Sequence, residues 1–241
     1  MRCRAGATWP SASAGWPEVL TAAALVPTPP LLVPEVAGGS AGRDDDLRDA
    51  CDAALAVLLA SGAERLVVVA AAEVTGPVDG TWDWRGFGVA SPARPAAARL
   101  PLGLAIGSWL LDRAGDRRPR TTVGVAPADA ARAGARLVAG APTGLLVCGD
   151  GSARRDEKAP GHLDPRAVPF DERCGRALAS GDPGEVLRLD ADLGRALLST
   201  GVPAWWALAG AAGAACTAEL TYTAAPYGVG YVVGTWLPRP D

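Results

Sequence analysis

The chain has 241 residues, enough for one large α/β domain or two small ones. Its formal charge of −3 gives no electrostatic reason to expect nucleic acid or an anionic membrane as a partner. The five cysteines are odd in number and contain no Cys-x-x-Cys pair, which argues against a disulfide framework and a structural zinc site and favours a reducing, cytoplasmic location. No apolar run approaches the roughly 20 residues that a membrane-spanning helix needs, so we expect no membrane partner.

The sequence before the first predicted helix contains three segments of different composition. Residues 1–18 are rich in Trp, Pro, Ser and Ala without periodicity, and we expect a disordered N-terminal extension there. The short apolar run at 20–26 is interpreted as a first strand and not as the apolar part of a signal peptide. Four prolines between 27 and 36 remove amide donors, so this stretch is predicted to be extended and not helical.

Strands are predicted where short apolar runs lie between turn signals, and helices where apolar residues recur every three or four positions. The predicted strands are 20–26, 65–72, 121–126, 144–148, 219–223 and 227–236. The predicted helices are one that begins at the Asp44-Asp45-Asp46 run and ends at Gly62, then 100–113, 128–139, 166–180, 183–189, one from Asp190 to Gly201, and 203–215. Their alternation predicts a single α/β domain over residues 19–238, a three-layer α/β/α sandwich with a mixed, mostly parallel central sheet and an antiparallel element at its C-terminal edge.

The most informative loop follows the strand predicted at 144–148. The apolar run stops abruptly at Gly149-Asp150-Gly151-Ser152-Ala153-Arg154. A strand of an α/β sheet that ends in this way delivers polar groups to a crevice at its carboxyl end. Asp150 and Arg154 could orient or bind a polar ligand there, or they could form a loop-closing turn and a surface salt bridge.

The chain has one histidine, His162, and this restricts the metal chemistry that it can perform. Neither a two-histidine facial triad for iron nor a multi-histidine zinc site can be built from one imidazole. No Gly-x-Ser-x-Gly elbow supplies a nucleophile for a catalytic triad. His162 is interpreted as a surface or loop-packing residue. Glu35 and Glu73 follow the first two strands and could form a carboxylate pair that binds a cation, or each could simply face solvent.

Several blocks of the sequence together resemble one known family. They are Val26-Pro27-Thr28-Pro29-Pro30-Leu31-Leu32-Val33-Pro34-Glu35, the loop at 149–154, Asp164-Pro165-Arg166 with Pro169-Phe170-Asp171, and Tyr222-Thr223-Ala224-Ala225-Pro226-Tyr227-Gly228-Val229-Gly230-Tyr231. These blocks resemble, in the family order, motifs of the LigB-like class III extradiol ring-cleavage dioxygenases and of the related Memo-like proteins. The resemblance spans residues 20–236 and implies a LigB-like fold for the whole domain.

The same resemblance implies that the family's iron site is missing. Family enzymes hold Fe(II) with two histidines and a glutamate, and a further histidine acts as acid and base. The resemblance places Thr28 at the first ligand position, one of residues 70–73 at the second, Thr223 or Ala224 at the glutamate position, and Ala153 at the acid/base position. Without imidazoles the affinity for Fe(II) is expected to be poor, so we expect no cofactor and no metal site.

The leading hypothesis is a cytoplasmic binding protein or pseudoenzyme with a pocket for a small molecule. The candidate pocket residues are Thr28, Glu35, Glu73, Asp150, Ser152, Arg154, His162 and Tyr227. One alternative is an active extradiol-type dioxygenase or another metal-dependent enzyme that uses Glu35, Glu73, Asp150, His162 or ligands from a partner chain. Another alternative is a structural subunit of a larger homo- or hetero-oligomeric assembly.

Overall fold

A computed structural model of the chain describes residues 19–38, 44–89 and 98–239. The extension predicted at residues 1–18 lies outside these ranges. Within them, no helix is both long and apolar enough to cross a membrane.

The described strands form one mixed β-sheet. They are β1 Leu20–Val26, β2 Arg65–Ala71, β3 Gly76–Pro77, β4 Arg120–Val125, β5 Thr143–Cys148, β6 Cys216–Ala224 and β7 Tyr231–Pro238. Their order across the sheet is β3-β4-β2-β5-β1-β7-β6. The neighbours β4, β2, β5 and β1 are parallel, whereas the pairs β3–β4, β1–β7 and β6–β7 are antiparallel. The sheet confirms an α/β fold with a parallel centre and an antiparallel C-terminal edge.

Each face of the sheet has its own apolar core. The helices are α1 Pro34–Ala37, α2 Asp45–Ala60, α3 Leu102–Arg113, α4 Ala130–Leu137, α5 Ala167–Ser180, α6 Pro183–Leu187, α7 Ala191–Ala196 and α8 Gly201–Ala212. Side chains alternate along β1 as strand geometry requires, so Ala24 and Val26 join a cluster with residues of α2 and α3, and Ala23 and Leu25 join one with residues of α4, α5 and α8. We call these the α2/α3 cluster and the α4/α5/α8 cluster.

The prediction that residues 27–36 are not helical is wrong. A 3-10 helix covers Pro30–Leu32 and α1 covers Pro34–Ala37, each with a proline at its first helical position. The amide at that position has no partner inside a helix, so proline loses no hydrogen bond there and its fixed φ suits the helix. The two short helices bring Leu32 and Val33 into the α2/α3 cluster.

The helix predicted from Asp190 to Gly201 is shorter than expected and covers only Ala191–Ala196. Asp190 caps α7 as expected, because its carboxylate accepts a hydrogen bond from the Leu193 N–H. The helix ends at Ala196, however, and Leu198 adopts a left-handed backbone with φ of 61°. Gly201 then begins α8 instead of ending the preceding helix.

The strand predicted at 227–236 begins only at Tyr231. Gly228 has a φ of 68°, a conformation that glycine adopts without strain, and the chain turns there. The Gly230 carbonyl accepts a hydrogen bond from the Gly151 N–H at 2.7 Å, and the Gly230 N–H donates to the Ser152 carbonyl at 2.8 Å. The glycine-rich segment therefore pairs with the loop after β5.

A bulge in β6 changes the face that its side chains meet. Leu220 pairs with Gly234 of β7 and Tyr222 pairs with Val233, so Thr221 between them has no partner in register. Leu220 packs against the α4/α5/α8 cluster, whereas Tyr222 packs against the α2/α3 cluster. In a regular strand these two residues would face the same side, and an extra residue re-aims the second one.

Helices α4 and α8 approach so closely that their crossing requires glycine. A Cβ on Gly134 of α4 would collide with the backbone of Ala207 in α8, and a Cβ on Gly210 of α8 would collide with the backbone of Ala131 in α4. Gly175, in the interior of α5, is different because nothing lies within 4 Å of a Cβ built there.

We predict that Gly134→Ala lowers the free energy of unfolding by about 1–3 kcal/mol, because the added methyl group forces two helix backbones apart. Gly175→Ala, the matched control, should raise it by about 0.5–1 kcal/mol, since alanine favours the helix and restricts the unfolded chain. Urea denaturation followed by circular dichroism measures both values. A similar change in the two variants would contradict the close α4–α8 contact.

Candidate functional site

The loop after β5 lies at the carboxyl ends of the parallel strands. β1 and β5 pair in register as far as Val26 and Cys148, and the Gly149 N–H donates to the Val26 carbonyl at 3.1 Å. The two chain segments beyond these strands therefore leave the sheet at neighbouring points. This brings Thr28 next to Asp150, although the two are 122 residues apart in the sequence.

Thr28 holds the Asp150 carboxylate with two donors. Its N–H donates to Oδ1 and its hydroxyl to Oδ2, both at 2.7 Å. Burial raises the pKa of the Asp150 carboxyl, and the hydrogen bonds from Thr28 act in the opposite direction. The Asp150 N–H also donates to the Thr200 hydroxyl at 3.0 Å, and its carbonyl accepts from the Ser199 hydroxyl and the Gly201 N–H, each at 2.8 Å. Asp150 is thus fixed through both its side chain and its main chain.

Ser152 holds a second carboxylate in the same manner. Its N–H donates to Asp171 Oδ1 at 2.7 Å and its hydroxyl to Oδ2 at 2.8 Å. Asp171 is 9% exposed, and this burial raises the pKa of its carboxyl while the bonds from Ser152 oppose the shift. A Cβ on Gly151 or Gly230 would collide with the carboxylate, so glycine at both positions provides its space. Arg155 Nη1 lies 3.6 Å from Asp171 Oδ2.

The three tyrosines of the chain lie near the acidic groups of this region. The Tyr227 hydroxyl donates to the carboxylate of Asp44, at the start of α2, with distances of 3.0 and 2.9 Å to its two oxygens. Burial raises the pKa of Tyr231, and the negative charges of Asp150 and Asp44 add to this shift. Burial and the charge of Asp44 likewise raise the pKa of Tyr222. The phenols of Tyr222 and Tyr231 are therefore held in their neutral form.

The remaining candidate residues lie outside these hydrogen-bonded pairs. Glu35 on α1 and Glu73 after β2 are both exposed. His162 is exposed as well, and it has a left-handed backbone with φ of 58°. Arg154 is half-buried, and its Nε is shielded from solvent without a hydrogen-bond partner among the described residues.

The sequence interpretation named neither Asp171 nor Arg155 as a site residue. A signal for Asp171 exists, because it stands three residues before Cys174 and seven before Leu178, on the buried stripe of α5. A carboxylate on an apolar stripe indicates a buried partner, since an unpaired buried charge is costly. Nothing in the sequence distinguishes Arg155 from its neighbour Arg154.

A cleft of about 430 Å³ opens beside the Ser152–Asp171 pair. It is lined by residues of α5, β6 and β7 and by Trp205 of α8. Cys174, Trp205 and Val232 contribute apolar wall, and Trp205 is only 1% exposed. Arg155 and Asp171 add the charged groups that are shielded from solvent. The cleft therefore combines an apolar interior with a small number of fixed polar groups.

The positions that the resemblance matches to iron ligands do not carry a donor set that fits Fe(II), since the exposed carboxylate of Glu73 is the one anionic group among them. The Thr28 hydroxyl is a neutral group that donates to Asp150. Ala153, at the position that the resemblance matches to the acid/base histidine, is buried and has no polar atom in its side chain. Thr223 lines the cleft and offers a neutral hydroxyl, whereas iron of this kind prefers imidazole and carboxylate ligands. Within the described ranges, no group of three or more His, Cys, Asp or Glu side chains is arranged to hold a metal ion.

We predict a pH-dependent loss of stability in Thr28→Val. A carboxyl with a raised pKa contributes its stability fully below the ordinary pKa of 3.8 and loses it as the pH rises through the higher folded-state value. Removal of the Thr28 hydroxyl raises the pKa of Asp150 further, so the deficit against the unchanged chain should grow from about pH 4 to about pH 8 and reach about 1–3 kcal/mol.

Urea denaturation at both pH values measures this deficit, and Thr28→Ser is the matched control because it keeps the hydroxyl. A deficit that is the same at low and high pH would contradict the role of the Thr28 hydroxyl as a partner of the ionised carboxylate.

Comparison with known proteins gives no family assignment. No protein-family model matches the chain, and no curated protein sequence matches it either.

Proposed function

We propose that this chain is a non-catalytic small-molecule-binding protein, a pseudoenzyme with a LigB-like three-layer α/β/α fold, and that its ligand occupies the cleft beside Arg155 and Asp171. The observation that carries the proposal is the cleft itself. Its volume of about 430 Å³ falls within the range of small-molecule sites, roughly 300–1,000 Å³. Such sites are mostly apolar and contain a few polar groups that orient the ligand, as this cleft does.

The position of the sequence motifs supports the fold and the location of the site. The LigB-like blocks fall in the segment after β1, in the loop after β5 and in the turn between β6 and β7. These segments meet around the Thr28–Asp150 and Ser152–Asp171 pairs. The separate α2/α3 and α4/α5/α8 clusters on the two faces of the sheet support a three-layer arrangement.

The bonding of the two carboxylates supports a binding role over a catalytic one. Both oxygens of Asp150 accept from Thr28, and both oxygens of Asp171 accept from Ser152. A general base must reach the proton that it removes, whereas these carboxylates are occupied in holding the loop. Ala153, at the position that the resemblance matches to the acid/base histidine, offers only a methyl group.

Gly175 supports an accessible cleft. It lines the cleft from the interior of α5, and a Cβ at this position would meet nothing within 4 Å. Glycine inside a helix costs about 0.5–1 kcal/mol relative to alanine, and packing does not require it here. The open space above this glycine is available to a bound molecule.

The proposal predicts a protein without resident iron and without ring-cleavage activity. Protein purified without chelator should contain iron well below stoichiometry in a metal analysis, and it should leave catechol uncleaved in an oxygen-uptake assay. Stoichiometric iron that is lost together with catechol cleavage in Asp150→Ala would overturn the proposal in favour of an active dioxygenase with unusual ligands.

N-phenyl-1-naphthylamine, a neutral probe whose fluorescence rises in apolar surroundings, tests the cleft directly. We expect saturable binding to the intact chain and an affinity about tenfold or more lower in Gly175→Phe, because the ring fills the cleft. Gly175→Ala is the matched control and should bind within about twofold of the intact chain, since a methyl group leaves most of the volume open. Unchanged binding to a folded Gly175→Phe variant would show that the probe binds elsewhere.

A further inference from the structure

Arg155 is anchored by its backbone while its guanidinium keeps donors available. Its N–H donates to the Gly228 carbonyl at 3.0 Å. Its Nη1 lies 3.6 Å from Asp171 Oδ2, an ion pair that is longer than a hydrogen bond. Both Asp171 oxygens already accept from Ser152. Among the described residues the guanidinium donates no hydrogen bond, so its Nε and Nη2 groups can bind a ligand.

The unused donors of this guanidinium, on Nε and Nη2, suit a carboxylate. Nε and Nη2 form the side of an arginine that makes two parallel hydrogen bonds to a carboxylate. The side chain of Arg155 is 27% exposed, so an anion at this edge is screened less by water than one at the surface. Asp171 does not take up these donors, because both its oxygens accept from Ser152 and its contact with Nη1 of Arg155 is longer than a hydrogen bond.

The second arginine of the cleft is less suited to hold a ligand. The Arg176 side chain is 71% exposed and lies 3.8 Å from Glu172 on the same helix. Exposed pairs of this kind contribute little, because water screens both charges. A ligand that enters the cleft therefore meets its strongest available anion-binding group at Arg155.

The apolar walls of the cleft indicate that the rest of the ligand is apolar. Trp205, Cys174 and Val232 are buried, and Leu220 is half-buried beside them. An apolar body gains about 25 cal/mol for each Å² that it removes from water against such walls. A second charged group in the same place would lose its hydration without gaining a partner.

From these contacts we infer that the cleft takes an apolar monocarboxylate, with the carboxylate on the Nε–Nη2 edge of Arg155 and the hydrocarbon body against Trp205 and Val232. The inference rests on the proposed binding function and adds the chemical class of its ligand. It requires no covalent step, since recognition consists of one ion pair and apolar contact.

Displacement of N-phenyl-1-naphthylamine by octanoate and by octanamide, two molecules of equal length that differ in charge, tests the inference. We expect octanoate to bind the intact chain about tenfold more tightly than octanamide. Arg155→Gln should lower the octanoate affinity about tenfold and leave the octanamide affinity within about twofold. Arg155→Lys keeps the charge but loses the forked pair of donors, so its octanoate affinity should lie between those of the intact chain and of Arg155→Gln.

Arg195→Gln is the matched control, because Arg195 is an exposed arginine of α7 that pairs with Asp192 and does not line the cleft. It should leave both affinities unchanged. The octanoate affinity of the intact chain should also fall with added salt, whereas the octanamide affinity should not. This salt series decides the question even if Arg155→Gln fails to fold.

The outcomes separate the inference from the proposed function. Equal affinities of octanoate and octanamide, or an octanoate affinity that is independent of salt, would overturn the carboxylate assignment while the cleft still binds the neutral probe. Absence of any probe binding to the intact chain would overturn the proposed function, and the inference with it.

Discussion

Two shielded carboxylates, each held by the N–H and the hydroxyl of a single residue, determine the geometry of this end of the sheet. A carboxylate removed from water is stable only when it is paired or hydrogen-bonded. Thr28 meets this need for Asp150, and Ser152 meets it for Asp171. Because these residues come from the segment after β1, the loop after β5 and helix α5, the two pairs join three distant parts of the chain. The shape of the cleft depends on the loop that they hold.

The two pairs differ in the charge of their surroundings. Near Asp150 the additional groups are the phenols of Tyr227 and Tyr231 and the carboxylate of Asp44, and none of these is a cation. Near Asp171 the additional group is the Arg155 guanidinium, which balances the carboxylate and still has free donors. A carboxylate ligand would therefore meet unused guanidinium donors on the Asp171 side of the loop and further carboxylates on the Asp150 side. This contrast is an electrostatic reason for the proposal to place the ligand beside Arg155 and not beside Asp150.

The strands and the place of the loop after β5 are predictable from the sequence, but the hydrogen-bond partners of that loop are not, and none of the eight predicted pocket residues lines the cleft. β2 and β5 are continuous apolar runs, a pattern typical of buried parallel strands, and polar residues that follow such a strand lie at its carboxyl end. The pairing of Thr28 with Asp150 depends on which strands become neighbours, and no local pattern contains that information. Arg155 and Arg154 differ only in the direction of their side chains, which the loop backbone sets. The error at 27–36 has a local cause, because helices can start at proline, whereas the error at 227–230 has a non-local cause, because Gly230 bonds to the distant loop after β5.

The bulge in β6 has a consequence for how the protein can change. Because Thr221 is an additional residue, Leu220 before it packs against the α4/α5/α8 cluster and Tyr222 after it packs against the α2/α3 cluster. In a regular strand Leu220 and Tyr222 would face the same core, whereas here the edge strand contributes one of them to each core. Substitutions at Leu220 can therefore reshape the cleft without changing the side chain that packs on the opposite face, Tyr222. One inserted residue thereby allows the wall of the cleft and the packing of the other core to be changed independently.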